Sequence, residues 1–306
     1  MRYELPIPYG WYCVGFTGEL PNGDVKALKY FGEDLVLFRT QGGEAALLDA
    51  YCPHLGAHLG VGGRVDGDSI ACPFHGWQFN TTGECTAVPY ATRMPPGIQD
   101  KRITHYPVKE QSGAIWAWYH PHGAEPQFEL EEVTEFESDE WSDKEVRDWT
   151  INTIIQEAGE NGVDKAHFVY VHASTSLPDG EITVEGHQRR TDITMETTAM
   201  DDYSDEDFSE TRGHLLSINN GPGQTIQYYN AFFKTTMMGT VTPIDRENIH
   251  LRFCFTQPRA ASPDQQAIAE GVKQMMCDQV EQDIPIWENK RSVSYTHLRA
   301  HETAYT

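Results

Sequence analysis

Cys52-Pro53-His54-Leu55-Gly56-Ala57-His58 and Cys72-Pro73-Phe74-His75-Gly76-Trp77 decide how the rest of this 306-residue chain is read. Each segment pairs a soft thiolate donor with an imidazole inside a turn rich in Pro and Gly, and residues 55 to 71 lie between the two pairs. Two Cys and two His suit a tetrahedral zinc, and they equally suit a [2Fe–2S] cluster in which two His replace two Cys on one iron. Zinc fingers usually follow a close Cys pair with a close His pair, whereas here each loop supplies one of each. Two such turns can clamp a compact group from either side, and two independent spacing matches argue against four unrelated loop residues.

The chain carries 46 acidic residues against 23 Lys and Arg, a formal charge of -23. That charge repels phosphate backbones and anionic membranes, so nucleic acid is not expected as a partner. A solvated acidic surface accounts for it, and a basic electron-donor protein would also be drawn to it. Beyond Cys52 and Cys72, the other cysteines (Cys13, Cys85, Cys254, Cys277) are scattered without a disulfide-framework pattern. They read as small buried hydrophobes in a reducing cytoplasm. The start, Met1-Arg2-Tyr3-Glu4-Leu5-Pro6, has no apolar core of a signal peptide, and no run approaches the roughly 18 apolar residues of a membrane helix. A soluble, cytoplasmic protein is expected.

Between Gly10 and His120, short apolar runs alternate with Gly, Asn and Asp turns, which predicts a small antiparallel β domain. Residues 121 to 148 are polar and acidic and read as a connector. A helix is expected over Ile151–Ala158, then a second antiparallel sheet from about Ile182 to Gln257, interrupted by a solvated acidic loop at 201–207. Ser262-Pro263-Asp264-Gln265 reads as an N-cap, an N1 proline and a capping-box Gln. The helix they open has Ile268, Val272, Met275, Met276 and Val280 on its apolar face, and Pro285 should end or kink it. The fold class expected is α+β, with one domain over residues 1–125 and a second over 126–291. Residues 292–306 resemble a translated sequencing-adapter read-through and are set aside, so the C-terminus is expected to be truncated.

A second cluster of donors lies in Glu160-Asn161-Gly162-Val163-Asp164-Lys165-Ala166-His167-Phe168-Val169-Tyr170-Val171-His172. Asp164 and His167 share one helical face at i, i+3. Five residues turn an ideal helix by about 500°, leaving His172 roughly 140° from His167, so the two rings converge only where the helix ends or bulges. Two His with one distant carboxylate form the facial triad of non-haem Fe(II) oxygenases. Asp283, beside Pro285 and Trp287, is chosen as that carboxylate because a lone solvated acid is least expected among apolar neighbours. Asp164 is assigned a supporting role, accepting the free N–H of a ligand imidazole. The Met237-Met238 and Phe232-Phe233 region is assigned to the core of the sheet rather than to a pocket.

The mixed order C-x-H followed by C-x2-H resembles the Rieske motif, and with E-N-x-x-D-x2-H-x4-H the chain is similar to Rieske non-haem iron oxygenase α-subunits over residues 10 to 290. Ala50-Tyr51-Cys52, Ile70 to His75, Val88-Pro89-Tyr90-Ala91, His167 to His172 and Glu281-Gln282-Asp283 look most like the 3-ketosteroid 9α-hydroxylase oxygenases and cholesterol 7-desaturases. The resemblance implies Cys52 and Cys72 on one iron of a [2Fe–2S] cluster, His54 and His75 on the other, and a mononuclear Fe(II) on His167, His172 and Asp283. It implies dioxygen, an apolar substrate of the steroid class, and a homotrimer in which Asp164 links one chain's cluster to the next chain's iron. No Gly-rich dinucleotide fingerprint occurs, so a separate NAD(P)H-dependent reductase or ferredoxin is the expected electron source. Aromatic or ether substrates form the alternative substrate class. A Rieske electron-transfer protein and a ligand-binding protein with an inactive second site are the alternatives without oxygenase chemistry.

Overall fold

The computed structural model describes residues 5–94, 96–98, 101–174, 176–196 and 212–291, so the acidic loop at 201–207 and the tail at 292–306 lie outside the described residues. The chain divides into two compact units, Ile7–Glu129 with Thr242–Asp245, and Leu130–Val241 with Arg246 onward.

The first unit is built from short strands, as the alternation of apolar runs and turns requires. β1 (Gly10–Phe16), β2 (Val25–Tyr30), β3 (Glu33–Arg39), β4 (Ala45–Asp49), β5 (Arg64–Asp66), β6 (Ser69–Ala71), β7 (Gln78–Asn80), β8 (Cys85–Ala87), β9 (His105–Tyr106), β10 (Val108–Gln111) and β11 (Ala114–Tyr119) follow in order. They form three sheets, ordered β1-β11-β10, β2-β3-β4-β9 and β5-β6-β7-β8. β3 is buried on both faces over Leu35 to Arg39, which is why its sequence is a continuous apolar run instead of an alternating one. Val36, Phe38, Leu48, Leu59, Ile70 and Phe79 pack into one core, and Cys52 and Cys72 belong to that core. Cys13, Cys254 and Cys277 are buried as expected, whereas Cys85 is only half-buried.

In the second unit, β12 (Glu145–Ile151) precedes α1 (Ile155–Asn161) and α2 (His167–Tyr170). Then come β13 (Asp179–Glu185), β14 (Gln188–Glu196), β15 (Arg212–Asn220), β16 (Gln224–Asn230), β17 (Thr235–Pro243), β18 (Ile249–Thr256) and the long helix α3 (Pro263–Asn289). The seven strands make one sheet ordered β12-β18-β17-β16-β15-β14-β13. The inner strand β17 is buried along its whole length.

Three expectations about element boundaries are corrected. The acidic connector ends earlier than expected, because Glu145–Asp148 belong to β12, which pairs residue by residue with β18. Its charged residues are not simply solvated: Glu145 pairs with Lys273 and Arg147 lies 3.5 Å from Glu270, both on α3. The helix expected over 151–158 begins only at Ile155, after Ile151, Thr153 and Ile154, whose β-branched side chains suit extended backbone better than helix. Pro285 does not end α3, which runs on to Asn289. A mid-helix proline costs about 3 kcal/mol. Burial of Trp287, a 3.4 Å bond from Thr153 Oγ1 to the Trp287 carbonyl, and an ion pair between Lys290 and Glu157 hold the last turn against that cost. Lys273 and Asp283 join the buried face of the helix, while Ile268 and Met275 are only half-buried.

The start of α3 follows the sequence closely. Ser262 Oγ accepts the Gln265 N–H at 3.2 Å, and Gln265 Oε1 reaches back to the Ala261 N–H at 2.8 Å, one residue before the cap itself. Ser262→Ala is expected to lower stability by about 1 kcal/mol, the usual worth of such a cap. A shift of the urea-unfolding midpoint measures it, and an unchanged midpoint would show that tertiary packing alone fixes this end.

Candidate metal centres

The two cysteine loops leave β4 and β6 and close in the same way. Cys52 N–H donates to the Ala57 carbonyl at 2.9 Å and Gly56 N–H donates back to the Cys52 carbonyl at 2.9 Å; Cys72 N–H donates to Trp77 at 2.8 Å and Gly76 N–H to Cys72 at 3.0 Å. Each loop therefore satisfies its own buried backbone at the cysteine. The closure needs a left-handed residue four places after each Cys, and Gly56 (φ 74°) and Gly76 (φ 73°) supply it.

Cys52 and Cys72 are both 2% exposed, and their thiols are in contact. Burial first, and the Cys72 thiol second, push the Cys52 thiol up to about 11. Such a site favours the neutral thiol until a cation is bound, whereupon the metal displaces the proton. The His54 ring stacks on Trp77 at 4.4 Å with planes 5° apart, and it stands 4.8 Å from the His75 ring. Trp77 is held in turn by a 2.9 Å bond from Nε1 to the Tyr90 hydroxyl. His75 Nδ1 is buried with no hydrogen-bond partner, and a buried imidazole nitrogen left this way fits a metal ligand. The donor set thus fits a cluster: two adjacent sulfurs on the inside, two neighbouring imidazoles toward the outside.

The second group is tighter. The donor atoms of His167, His172 and Asp283 all lie within 4.8 Å of one another, and among the described residues this is the set of three or more such groups that converges on one point. The convergence depends on α2 being a single turn. It stops at Tyr170 and Val171 is the C-cap, so His172 lies off the helix with its ring 4.9 Å from that of His167, and Ala173 (φ 55°) then turns the chain away. α3 carries Asp283 to the same point from more than a hundred residues away, with its Oδ2 3.6 Å from His172 Nε2.

Both rings are fixed through Nδ1. His167 Nδ1–H donates to the Asp164 carbonyl, and His172 Nδ1–H donates to Gln282 Oε1 at 2.8 Å. That leaves Nε2 of each ring as the free donor, the arrangement a metal requires of neutral imidazole. Burial holds His167 below the usual histidine range, although Asp283 pulls the other way. For His172 burial also acts downward, but its bonds to Asp283 and Gln282 and the Asp283 charge together raise it. Asn161 Nδ2 donates to Asp283 Oδ2 at 3.0 Å and sets the carboxylate's orientation.

The structure changes one detail assigned from sequence. The carbonyl of Asp164, not its carboxylate, takes the imidazole N–H; carboxylate Oδ1 instead accepts the Ala166 N–H at 2.9 Å, an Asx-type turn at the start of α2. Lys165 does not pair with Asp164 either, since its Nζ donates to the Gly180 carbonyl at 2.7 Å. Gln282 and Asn161 were not singled out from sequence. Both stand in quoted motifs, beside Asp283 and Glu160, but spacing alone cannot show which polar neighbour of a ligand faces inward.

The three converging groups open onto a cavity between α3 and the inner face of β14 to β18. Leu215, Tyr229, Met237, Phe253 and Met276 give it apolar walls. Met237 is buried core, as expected, in a cluster with Tyr229, Phe255 and Met276 against which Phe232 and Phe233 pack, and it also borders the cavity; Met238, on the other face, is fully buried core. Among the described residues no helix is long and apolar enough to cross a membrane.

The Rieske [2Fe–2S] domain family matches residues 10–107, and the 3-ketosteroid 9α-hydroxylase C-terminal domain family matches residues 117–305. The chain is 33% identical to a cholesterol 7-desaturase of Bombyx mori, over 96% of this chain and 66% of that protein. It is 32% identical to a 3-ketosteroid-9-alpha-monooxygenase oxygenase component of Rhodococcus rhodochrous, over 93% of this chain and 77% of that protein. The matches to cholesterol 7-desaturases of Ciona intestinalis and Xenopus laevis each span only 38% of those longer proteins. A crystal structure of dicamba monooxygenase bound to dicamba superposes with a TM-score of 0.71 at 17% identity, over 91% of this chain and 86% of that one, which establishes a common fold. With both family matches in chain order and the two donor sets in place, the chain belongs to the Rieske non-haem iron oxygenases, a family that carries a Rieske cluster and a mononuclear iron.

Proposed function

We propose that this chain is the terminal oxygenase component of a multicomponent system, using dioxygen and electrons from a separate NAD(P)H-dependent reductase or ferredoxin to hydroxylate or desaturate an apolar steroid or sterol. The observation that carries the reading is the convergence of His167, His172 and Asp283 within 4.8 Å at the wall of an apolar cavity. An electron-transfer protein needs no such site. Relatives named for steroid and sterol oxidation support the substrate class over aromatic ethers.

Cys52 and Cys72 would hold one iron of the cluster, and His54 and His75 the other. His167, His172 and Asp283 would hold Fe(II), which when bound would supply the redox chemistry that activates dioxygen. The remaining work falls to the protein. The Asp164 carbonyl and Gln282 lock the two imidazole planes through Nδ1 and leave Nε2 of each ring facing the other two groups, and Asn161 keeps one carboxylate oxygen of Asp283 in place. The walls of the cavity exclude water and hold the substrate's hydrocarbon against this group. The Asp164 carboxylate, on the loop just before α2, is the proposed link to the cluster of a neighbouring subunit in a homotrimer.

Metal content and oxygen uptake test this. The purified protein should hold three irons per chain and, with a surrogate reductase, consume oxygen and yield product from ketosteroids or sterols; two irons and no product would reduce it to an electron carrier. Cys52→Ser should abolish the cluster's visible absorption while one iron per chain remains. His167→Ala should show the converse, a reducible cluster and no product, and wild-type turnover in this variant would remove the triad assignment.

Asp164→Asn keeps the backbone carbonyl and an oxygen for the Ala166 N–H. Both metals should stay and the cluster should reduce normally, yet turnover should fall by about tenfold or more. Mixing the pre-reduced variant with substrate and oxygen gives the decisive trace, since wild-type cluster oxidation there would exclude the linking role.

A further inference from the structure

The inner face of the sheet changes chemistry from row to row. Cross-strand register aligns Ile193, Leu215 and Tyr229 in one row, Thr191, Ser217 and Gln227 in the next, and Arg189, Asn219 and Thr225 in a third. Because side chains alternate along a strand, all three rows face the same side. The first is apolar. The third is tied together by side-chain bonds, for Arg189 donates to Asn219 Oδ1 at 2.6 Å and Asn219 donates to Thr225 Oγ1 at 2.6 Å, and among the described residues only the Arg189 Nε is left without a partner in that row. In the middle row Thr191 Oγ1 reaches the Gly162 carbonyl at 3.5 Å.

Ser217 and Gln227 differ from their neighbours. Among the described residues neither side chain has a hydrogen-bond partner, although Ser217 is only 9% exposed and both line the cavity that holds the triad. They stand directly opposite each other on β15 and β16. Residues so placed have Cβ atoms about 4.5–5.5 Å apart, close enough to grip one atom together. A hydroxyl and an amide left unpaired beside apolar walls are costly unless something in the cavity bonds to them.

We propose that Ser217 and Gln227 form a polar anchor that takes a single oxygen substituent, best a carbonyl, on an otherwise apolar substrate, and so fixes which carbon faces the triad. Ser217 Oγ–H and Gln227 Nε2–H supply two donors for the two lone pairs of one carbonyl oxygen. The proposal rests on the oxygenase reading above and specifies its substrate: a hydrocarbon frame with an oxygen at one end. It makes these two residues determinants of specificity that act without touching the metal.

Equilibrium dialysis of the iron-loaded protein against androst-4-ene-3,17-dione and the oxygen-free 5α-androstane tests it. The wild type should prefer the dione by about tenfold or more, as sites built to bond an oxygen reject analogues lacking it. Ser217→Ala with Gln227→Met, which preserves volume, should erase the preference, while Ser217→Thr, which retains the hydroxyl, should keep it. Iron content and circular dichroism report folding, and Gln227→Met alone takes the place of the double variant if that one loses iron. A preference that survives in the variant, or an equal loss of both ligands, overturns the anchor and leaves the steroid reading standing. Binding of neither compound by the wild type removes the steroid reading and the anchor together.

Discussion

The Asp283 carboxylate ties the second unit together. It is 5% exposed, and a carboxylate at that depth persists only where charge and hydrogen bonds replace water. Three segments meet to supply them: Asn161 from the end of α1, His172 from beyond α2, and α3 itself. Leaving the anion without these partners would be strongly unfavourable, so the contact constrains all three backbones. The single turn of α2 follows from the need to bring His172 there, and Ala173 leads the chain away beyond it. Continuity of α3 through Pro285 belongs to the same constraint, because the packing of Trp287 and Lys290 anchors the helix on the far side of Asp283.

The cluster loops follow a different logic. No distant carboxylate organises them; each is closed by its own backbone around a cysteine and opened by a glycine at positive φ. Rigidity comes from the core beneath, where both cysteines sit among Val36, Phe38 and Ile70, and from the Trp77 ring under His54. A prebuilt cradle of this kind suits a cofactor that changes charge without changing shape, since fixed donors add little reorganisation when an electron arrives.

These two logics explain what could be read from the chain alone. The loops were legible because every determinant, the Cys, Pro, His and Gly, lies within six or seven consecutive residues. His167 and His172 were legible for the same reason, together with the requirement that the helix between them break. Asp283 could be reached only by asking which acid stands among apolar neighbours. What failed was decided by contacts across the fold. β12 was hidden because its charges meet Lys273 and Glu270 on α3, and the passage through Pro285 because Thr153 and Glu157 stabilise the turn beyond it. Gln282 was invisible because only its distance to His172 distinguishes it from any exposed glutamine on a helix.

The sheet face shows how such a fold can change substrate without losing its metal. The three converging side chains sit on α2, just beyond it and on α3, whereas the rows that face the cavity sit on β14 to β17, where every second residue points inward and its neighbours point away. An exchange at an inward position alters the cavity, leaving strand pairing and ligand geometry to backbone hydrogen bonds that do not depend on that side chain. This separation places the information about substrate in cross-strand register rather than in any contiguous motif, so two chains with the same Cys, His and Asp spacing can hold the same irons and present them to different molecules.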